Sequence, residues 1–107
     1  MARIEDLLVL VQRDPHNSAL RFVLGTEYVR AAMYAEATEA FDETVRIRPN
    51  YSAAYRELGQ CLIHLGQTER AREILTTGKQ VAAEGGDRNV GQEIDLLLRS
   101  LTPELPG

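Results

Sequence analysis

The chain has 107 residues, of which 44% are hydrophobic and 26% are charged, as expected for one globular domain with a hydrophobic core. Its net charge of −4 argues against nucleic acid or an anionic membrane as a ligand, and no apolar run approaches the ~20 residues of a membrane span. One cysteine, Cys61, excludes an internal disulfide, and we expect a cytoplasmic protein with no nucleic-acid or membrane partner.

Residues 1–14 are predicted to form a short N-terminal cap helix. Asp14-Pro15 ends it, because proline disfavours the helical conformation at the residue before it. Four apolar residues fall on one predicted stripe: Leu7, Leu8, Leu10 and Val11. Val9 completes a run of five apolar residues, which cannot all face one neighbour, so some are expected to be exposed or to meet another chain.

The next two segments, 18–51 and 52–85, are equal in length and repeat one pattern. Four pairs of residues carry the period: Leu24 and Leu58, Gly25 and Gly59, Ala37 and Ala71, Phe41 and Leu75. Pro15 and Pro49 have the same spacing. A period of ~34 residues predicts stacked helical hairpins, each of which buries its apolar face only against its neighbours.

Small residues recur where the two helices of a hairpin are expected to cross. Gly25 and Gly59 lie on the first helices, and Ala37 and Ala71 lie on the second ones. Glycine within a helix costs about 1 kcal/mol relative to alanine, so its return at one phase indicates a packing requirement.

A last helix is predicted over 87–101, after the stop at Gly85-Gly86, with Asp87 as its cap. Its predicted inward face consists of Val90, Ile94, Leu97, Leu98 and Leu101. Its predicted outward face consists of Arg88, Gln92, Glu93, Asp95 and Arg99. The tail 102–107 contains two prolines and is expected to be loose. In total we expect six helices and no strand, and the start at Met1 with a cap at each end favours a complete small protein.

These motifs resemble the tetratricopeptide repeat family. The first unit supplies the family's pattern as Leu24, Gly25, Tyr28, Ala37, Phe41 and Pro49, with Arg21 where the family prefers an aromatic residue. The second supplies Tyr55, Leu58, Gly59 and Ala71, with Leu62 and Leu75 in place of aromatics and Ala82-Ala83 in place of the proline. The resemblance implies an all-α fold, a right-handed stack of antiparallel helical hairpins that forms an α-solenoid.

The resemblance also implies a concave groove lined by the first helices. The residues expected to face it are Phe22, Thr26, Arg30, Arg56, Gln60, Ile63 and His64. Relatives that clamp a C-terminal carboxylate present lysine and asparagine early on this face. Phe22 and Thr26 stand there, so a charge clamp is not supported. An alternative for Phe22 is that it packs beneath the N-terminal helix.

The predicted function is that of a protein-interaction module that binds a peptide or helix of a partner protein in the groove. The alternative is a self-associating scaffold that forms a weak homodimer through its terminal helices. We expect no enzyme activity, no cofactor and no metal, because His16 and His64 lack a metal-ligand spacing. Cys61 precedes His64 by three residues, which would suit a reactive thiol, but a buried and inert core cysteine is favoured.

Overall fold

The computed structural model describes residues 3–101, and within that range the chain forms six helices and no strand. The helices are α1 (Ile4–Arg13), α2 (Ser18–Arg30), α3 (Tyr34–Ile47), α4 (Ser52–His64), α5 (Thr68–Gly85) and α6 (Arg88–Leu101). The predicted all-α stack of helical hairpins is confirmed. The predicted loose tail, 102–107, lies outside the described residues. No helix in the described range is both long enough and apolar enough to cross a membrane.

The two helices of each hairpin are joined by the same kind of turn. After α2 the N–H of Met33 donates to the carbonyl of Tyr28, and after α4 the N–H of Gln67 donates to Leu62, both at 2.9 Å. Such turns need a residue with a left-handed backbone. Gly66 supplies it with φ +75°, and Ala32, at the same position of the preceding unit, adopts φ 58° despite its side chain.

The hairpin crossings lie at the repeated glycines. A Cβ atom on Gly25 would come within 2.5 Å of Phe41 Cε1, and one on Gly59 would collide with Leu75. Phe41 and Leu75 are fully buried. The two glycines therefore allow the large side chain of each second helix to pack against the backbone of the first helix.

The predicted stripe of α1 is only half right. Leu7 and Val11 are buried in a cluster with Leu24 and Ala40, whereas Leu8 and Leu10 are 41% and 43% exposed. The physical reason is that α1 has its main neighbour, α2, on one side. Residues roughly 80–100° around a helix from its contact line lie at the rim of the contact. The expectation that part of the five-residue apolar run is exposed agrees with these values.

α5 is one turn longer than α3, with 18 residues against 14. Its additional turn includes Ala83, which lies one repeat period after Pro49, and it is capped by Gly86 with φ +73°. Consequently the step from the start of α4 to the start of α6 is two residues longer than the step from α2 to α4. Asp87, predicted as the cap of α6, accepts a hydrogen bond from the Ser52 hydroxyl at 2.6 Å and so links the beginnings of α4 and α6.

Candidate binding groove

The first helices of the successive steps are α2, α4 and α6. Counting six residues from the first residue of each helix gives Leu24, Leu58 and Ile94, which are all buried. The three helices therefore present equivalent faces to the core, and their equivalent outer positions can be compared directly. Side chains four residues apart lie on one face of a helix.

Three rows of side chains follow on the face where the sequence places the groove. The rows are Phe22, Arg56 and Gln92; Thr26, Gln60 and Leu96; and Arg30, His64 and Ser100. They lie four, eight and twelve residues after the first residue of α2, α4 and α6, respectively. Of the seven residues predicted to face the groove, Arg30, Gln60 and His64 are exposed, and the other four are partly buried.

Phe22 packs within the fold, at the boundary between the two repeats. Its ring stacks on Tyr51 with centroids 4.9 Å apart and lies 5.5 Å from the ring of Phe41 at a tilt of 58°. These partners belong to α3 and to the turn before α4, so the alternative placing beneath the N-terminal helix is not the one found. The stack on Tyr51 covers one face of this ring, so a partner segment has only the remainder of the ring to contact.

Arg56 connects the groove faces of α4 and α6. Its guanidinium lies 3.2 Å from a carboxylate oxygen of Glu57 and 3.4 Å from one of Glu93 on α6. Among the described acidic residues, Arg30 approaches Glu27 of its own helix, at 3.7 Å, and no other. The two predicted groove arginines are therefore unequal, since Arg56 has two carboxylates close by and Arg30 has one at the limit of an ion pair.

Two further predicted residues have local partners. The Thr26 hydroxyl donates to the carbonyl of Phe22 at 3.1 Å, a bond within α2 that leaves its oxygen able to accept from a ligand. The imidazole of His64 stacks on the ring of Tyr34 at a centroid distance of 4.3 Å and an interplanar angle of 5°. His64 thus lies at the margin of the groove, where it joins the end of α4 to the start of α3. Ile63 is partly buried against the main core cluster.

Leu96 lies on the same face of the three helices and was not among the residues predicted to line the groove. It occupies the middle row beside Gln60 and is 64% exposed, the highest value among the exposed large hydrophobic residues of the described range. Counting one repeat period from Gln60 leads instead to Ile94, which is buried. The extra turn of α5 accounts for the difference. The buried series of Leu24, Leu58 and Ile94 was the signal that could have corrected the count.

Cys61 does not have the environment of a nucleophile. Its side chain is 2% exposed in the core, and burial raises the pKa of its thiol to about 11, with the negative charge of Glu57 adding to the shift. Thiolate is therefore scarce at neutral pH. The ring of His64, the base that would have to activate it, is stacked on Tyr34. Within residues 3–101 no three His, Cys, Asp or Glu side chains are grouped in a way that could hold a metal ion.

Comparison with known proteins agrees with this geometry. The family model described as tetratricopeptide repeat matches residues 28–88. Over 98 residues the chain is 33% identical to the TPR repeat-containing protein PA0015 of Pseudomonas aeruginosa, and the match spans 92% of this chain and 93% of that protein.

Solved structures show the same architecture. Protein BPP2914 from Bordetella parapertussis is 30% identical, with a TM-score of 0.80 over 94% of this chain and 88% of that one. The TPR2B domain of yeast Sti1, solved in a complex with pHsp70, has a TM-score of 0.85 over 92% of this chain and 78% of that one. At 18% identity, the second likeness concerns the fold alone.

Proposed function

The chain belongs to the tetratricopeptide repeat family, whose members are generally non-enzymatic interaction modules, and from that premise we propose that it binds an extended segment of a partner protein along the face of α2, α4 and α6. The observation that carries the proposal is the middle row of that face. There an exposed amide, Gln60, stands between a hydroxyl, Thr26, and an exposed apolar side chain, Leu96.

An extended segment has the chemistry that this row can satisfy. Its backbone offers N–H and C=O groups at regular intervals, and the amide of Gln60 provides both a donor and an acceptor. Leu96 provides apolar area for one anchoring side chain, and burying such an area contributes roughly 25 cal/mol per Å². A few such anchors usually supply most of the affinity of a small interface.

The arginines add a preference for acidic groups at the two sides of the row. Arg30 is exposed and has one distant partner, so its guanidinium can donate hydrogen bonds to a carboxylate of the ligand. Arg56 is partly neutralised by Glu57 and Glu93, so a ligand carboxylate there would have to compete with them. The TPR2B domain of Sti1 is described in a complex with pHsp70, so the fold holds a partner in that protein.

The test is capture from an extract of the source cell with the immobilised chain and two matched variants. Leu96→Lys changes the middle row, and Val9→Lys changes an exposed apolar residue of α1. We expect the wild-type chain and Val9→Lys to retain the same proteins and Leu96→Lys to lose them. Amide-shift mapping with a peptide of a captured protein should then perturb Thr26, Gln60 and Leu96. Unchanged capture by Leu96→Lys, with shifts elsewhere, would overturn the groove.

The alternative function is self-association through the terminal helices. The exposed Leu8, Val9 and Leu10 of α1 favour it. Asp95 disfavours the packing of a further helix on α6. It lies seven residues after the first residue of α6, the position at which α2 and α4 carry their crossing glycines. Sedimentation over a range of concentrations separates the two functions, since a concentration-dependent mass that Leu10→Arg abolishes would support self-association.

A further inference from the structure

The repeat provides an internal comparison for the outer surface of the stack. The second helices α3 and α5 are linked by the ion pair of Arg70 with Asp42, and α1 precedes α3 by one repeat period, because α1 and α3 end at Asp14-Pro15 and Arg48-Pro49. The junction between α3 and α5 therefore shows how this fold closes such a contact.

Two features close the junction between α3 and α5. The side chain of Ile74 packs against the main core cluster. Above it, one nitrogen of Arg70 donates to both carboxylate oxygens of Asp42, at 2.9 and 2.7 Å, and connects the two helices. An ion pair thus bridges the two helices, and the aliphatic side chain of Ile74 lies four residues further along the same face of α5.

At the junction between α1 and α3 both features are missing. Counting back one repeat period places Ala40 at the position of Ile74, Glu36 at that of Arg70 and Leu8 at that of Asp42. Alanine is smaller than isoleucine, and leucine cannot form an ion pair with glutamate. A cleft of about 490 Å³ lies here, with Leu8, Leu24, Tyr28 and Ala40 as its apolar lining.

The rim of the cleft is acidic. The charged residues that line it are Arg21, Glu36, Glu39, Asp42 and Glu43. Asp42 is paired with Arg70, and Glu43 is paired with Arg46, whose hydrogen bond lowers the pKa of that carboxyl. Glu36 and Glu39 form no ion pair with another described residue. Two carboxylates without an ion pair to a described residue therefore stand beside the apolar cleft, together with Arg21, whose guanidinium donates to the carbonyl of Pro15 at 2.9 Å.

We propose that this cleft, which is lined by residues of α1, α2 and α3, is a second binding surface that accepts a basic amphipathic segment of a partner protein. An apolar side chain of the segment would occupy the space above Ala40 and contact the exposed Leu8. A lysine or arginine on the same face of the segment would reach Glu36 and Glu39. This surface does not depend on the groove of α2, α4 and α6.

A second copy of the chain fits the cleft poorly. The chain carries a net charge of −4, with 16 acidic residues against 12 lysine and arginine residues, and its single lysine, Lys79, is paired with Asp95 at 2.7 Å. Like charges disfavour an acidic occupant at an acidic rim. Charge complementarity therefore selects a basic partner, and self-association through this cleft becomes an outcome that the test can reveal.

The test introduces the residues found between α3 and α5 at the equivalent positions of α1 and α3. Ala40→Ile should fill the cleft as Ile74 does, and the double variant Leu8→Asp with Glu36→Arg should recreate the ion pair of Asp42 and Arg70. The probe is a synthetic helical peptide of about 15 residues with leucines on one face and lysines beside them. The same peptide with glutamates in place of the lysines serves as its control.

We expect the lysine peptide to shift the amides of residues 8, 36, 39 and 40, and to bind less tightly as salt is added. Both closure variants should weaken binding by about tenfold or more, while Leu96→Lys in the groove leaves it unchanged. Equal binding by the closure variants, equal binding of the glutamate peptide, or shifts confined to the groove would overturn the proposal. If Ala40→Ile fails to fold, the surface double variant still decides the matter. Concentration-dependent dimerisation of the free chain through the same amides would also overturn it.

Discussion

Leu75 of α5 lies directly against the backbone of Gly59 in α4, and no space remains for a side chain on that glycine. Gly59→Ala should therefore destabilise the protein by about 1–3 kcal/mol through overpacking, although the same change stabilises an open helix by up to ~1 kcal/mol. The measurement is the free energy of unfolding in urea.

Gly91 provides the matched control for that change. It also lies within a helix, α6, but a Cβ atom there would meet its nearest neighbour, Ala82 Cβ, at an ordinary 3.7 Å. Gly91→Ala should stabilise the protein by up to ~1 kcal/mol. Equal effects at the two positions would show that the crossing of α4 and α5 is not as close as described.

The turn residues Ala32 and Gly66 allow a reciprocal exchange. Ala32 has φ 58°, which costs a residue with a side chain about 1 kcal/mol or more, whereas Gly66 holds the equivalent position with φ +75° without this cost. Ala32→Gly should raise the melting temperature, and Gly66→Ala should lower it. A steric clash does not contribute to the effect of Gly66→Ala, since no atom beyond its chain neighbours lies within 4 Å of a Cβ built on Gly66. Two changes of the same sign would contradict the assignment.

α6 should contribute to stability through one face and to binding through the other. Ile94 is fully buried, so Ile94→Ala should cost about 2–5 kcal/mol. Leu96, two residues later, is 64% exposed, and Leu96→Ala should change the free energy of unfolding by less than about 0.5 kcal/mol. Thermal unfolding of the two variants checks the orientation of the helix, and a small loss for Ile94→Ala would mean that α6 is not docked as described.

The stability of the protein should fall at alkaline pH. The pKa of Cys61 is raised from 9.0 to about 11 in the folded chain, so the unfolded chain loses this proton first as the pH rises. The buried, protonated thiol of Cys61 contributes fully to the free energy of unfolding below pH 9. As the pH rises from 9 to about 11, the free energy of unfolding should fall by about 1–3 kcal/mol. Burial also raises the pKa of Tyr55, which acts in the same direction at the upper end. The free energy of unfolding of Cys61→Ala should depend less steeply on pH over this interval than that of the wild-type chain.

The sequence predicted the hairpins well because their determinants are local and repeated. Gly25 and Gly59 mark crossings that the structure contains. The face of α1 was predicted less well, because five consecutive apolar residues do not define a stripe and the position of α2 decides which of them are buried. Leu96 was missed because the length of α5 changes the register after residue 85, and that length depends on packing as well as on the repeat pattern.

The open cleft could not be recognised from the sequence alone. It depends on the difference between Ala40 and Ile74, which are both ordinary helix residues, and on the loss of an ion pair between two helices that are distant in the chain. None of these differences breaks the helical pattern of its own segment. Their combined effect on the space between α1 and α3 appears once the neighbouring junction is available for comparison.

The extra turn of α5 also determines where a further repeat could be inserted into the stack. At the boundary between Tyr51 and Ser52 a tandem copy of residues 18–51 would join its neighbours in phase, because the helices on both sides keep the spacing of one repeat period. After α5 the spacing is two residues longer, so a copy inserted there would place its first helix out of register with the crossing glycines. Duplication within the gene, or a designed insertion, can therefore lengthen the binding face from the middle of the molecule, while α6 remains its terminal helix.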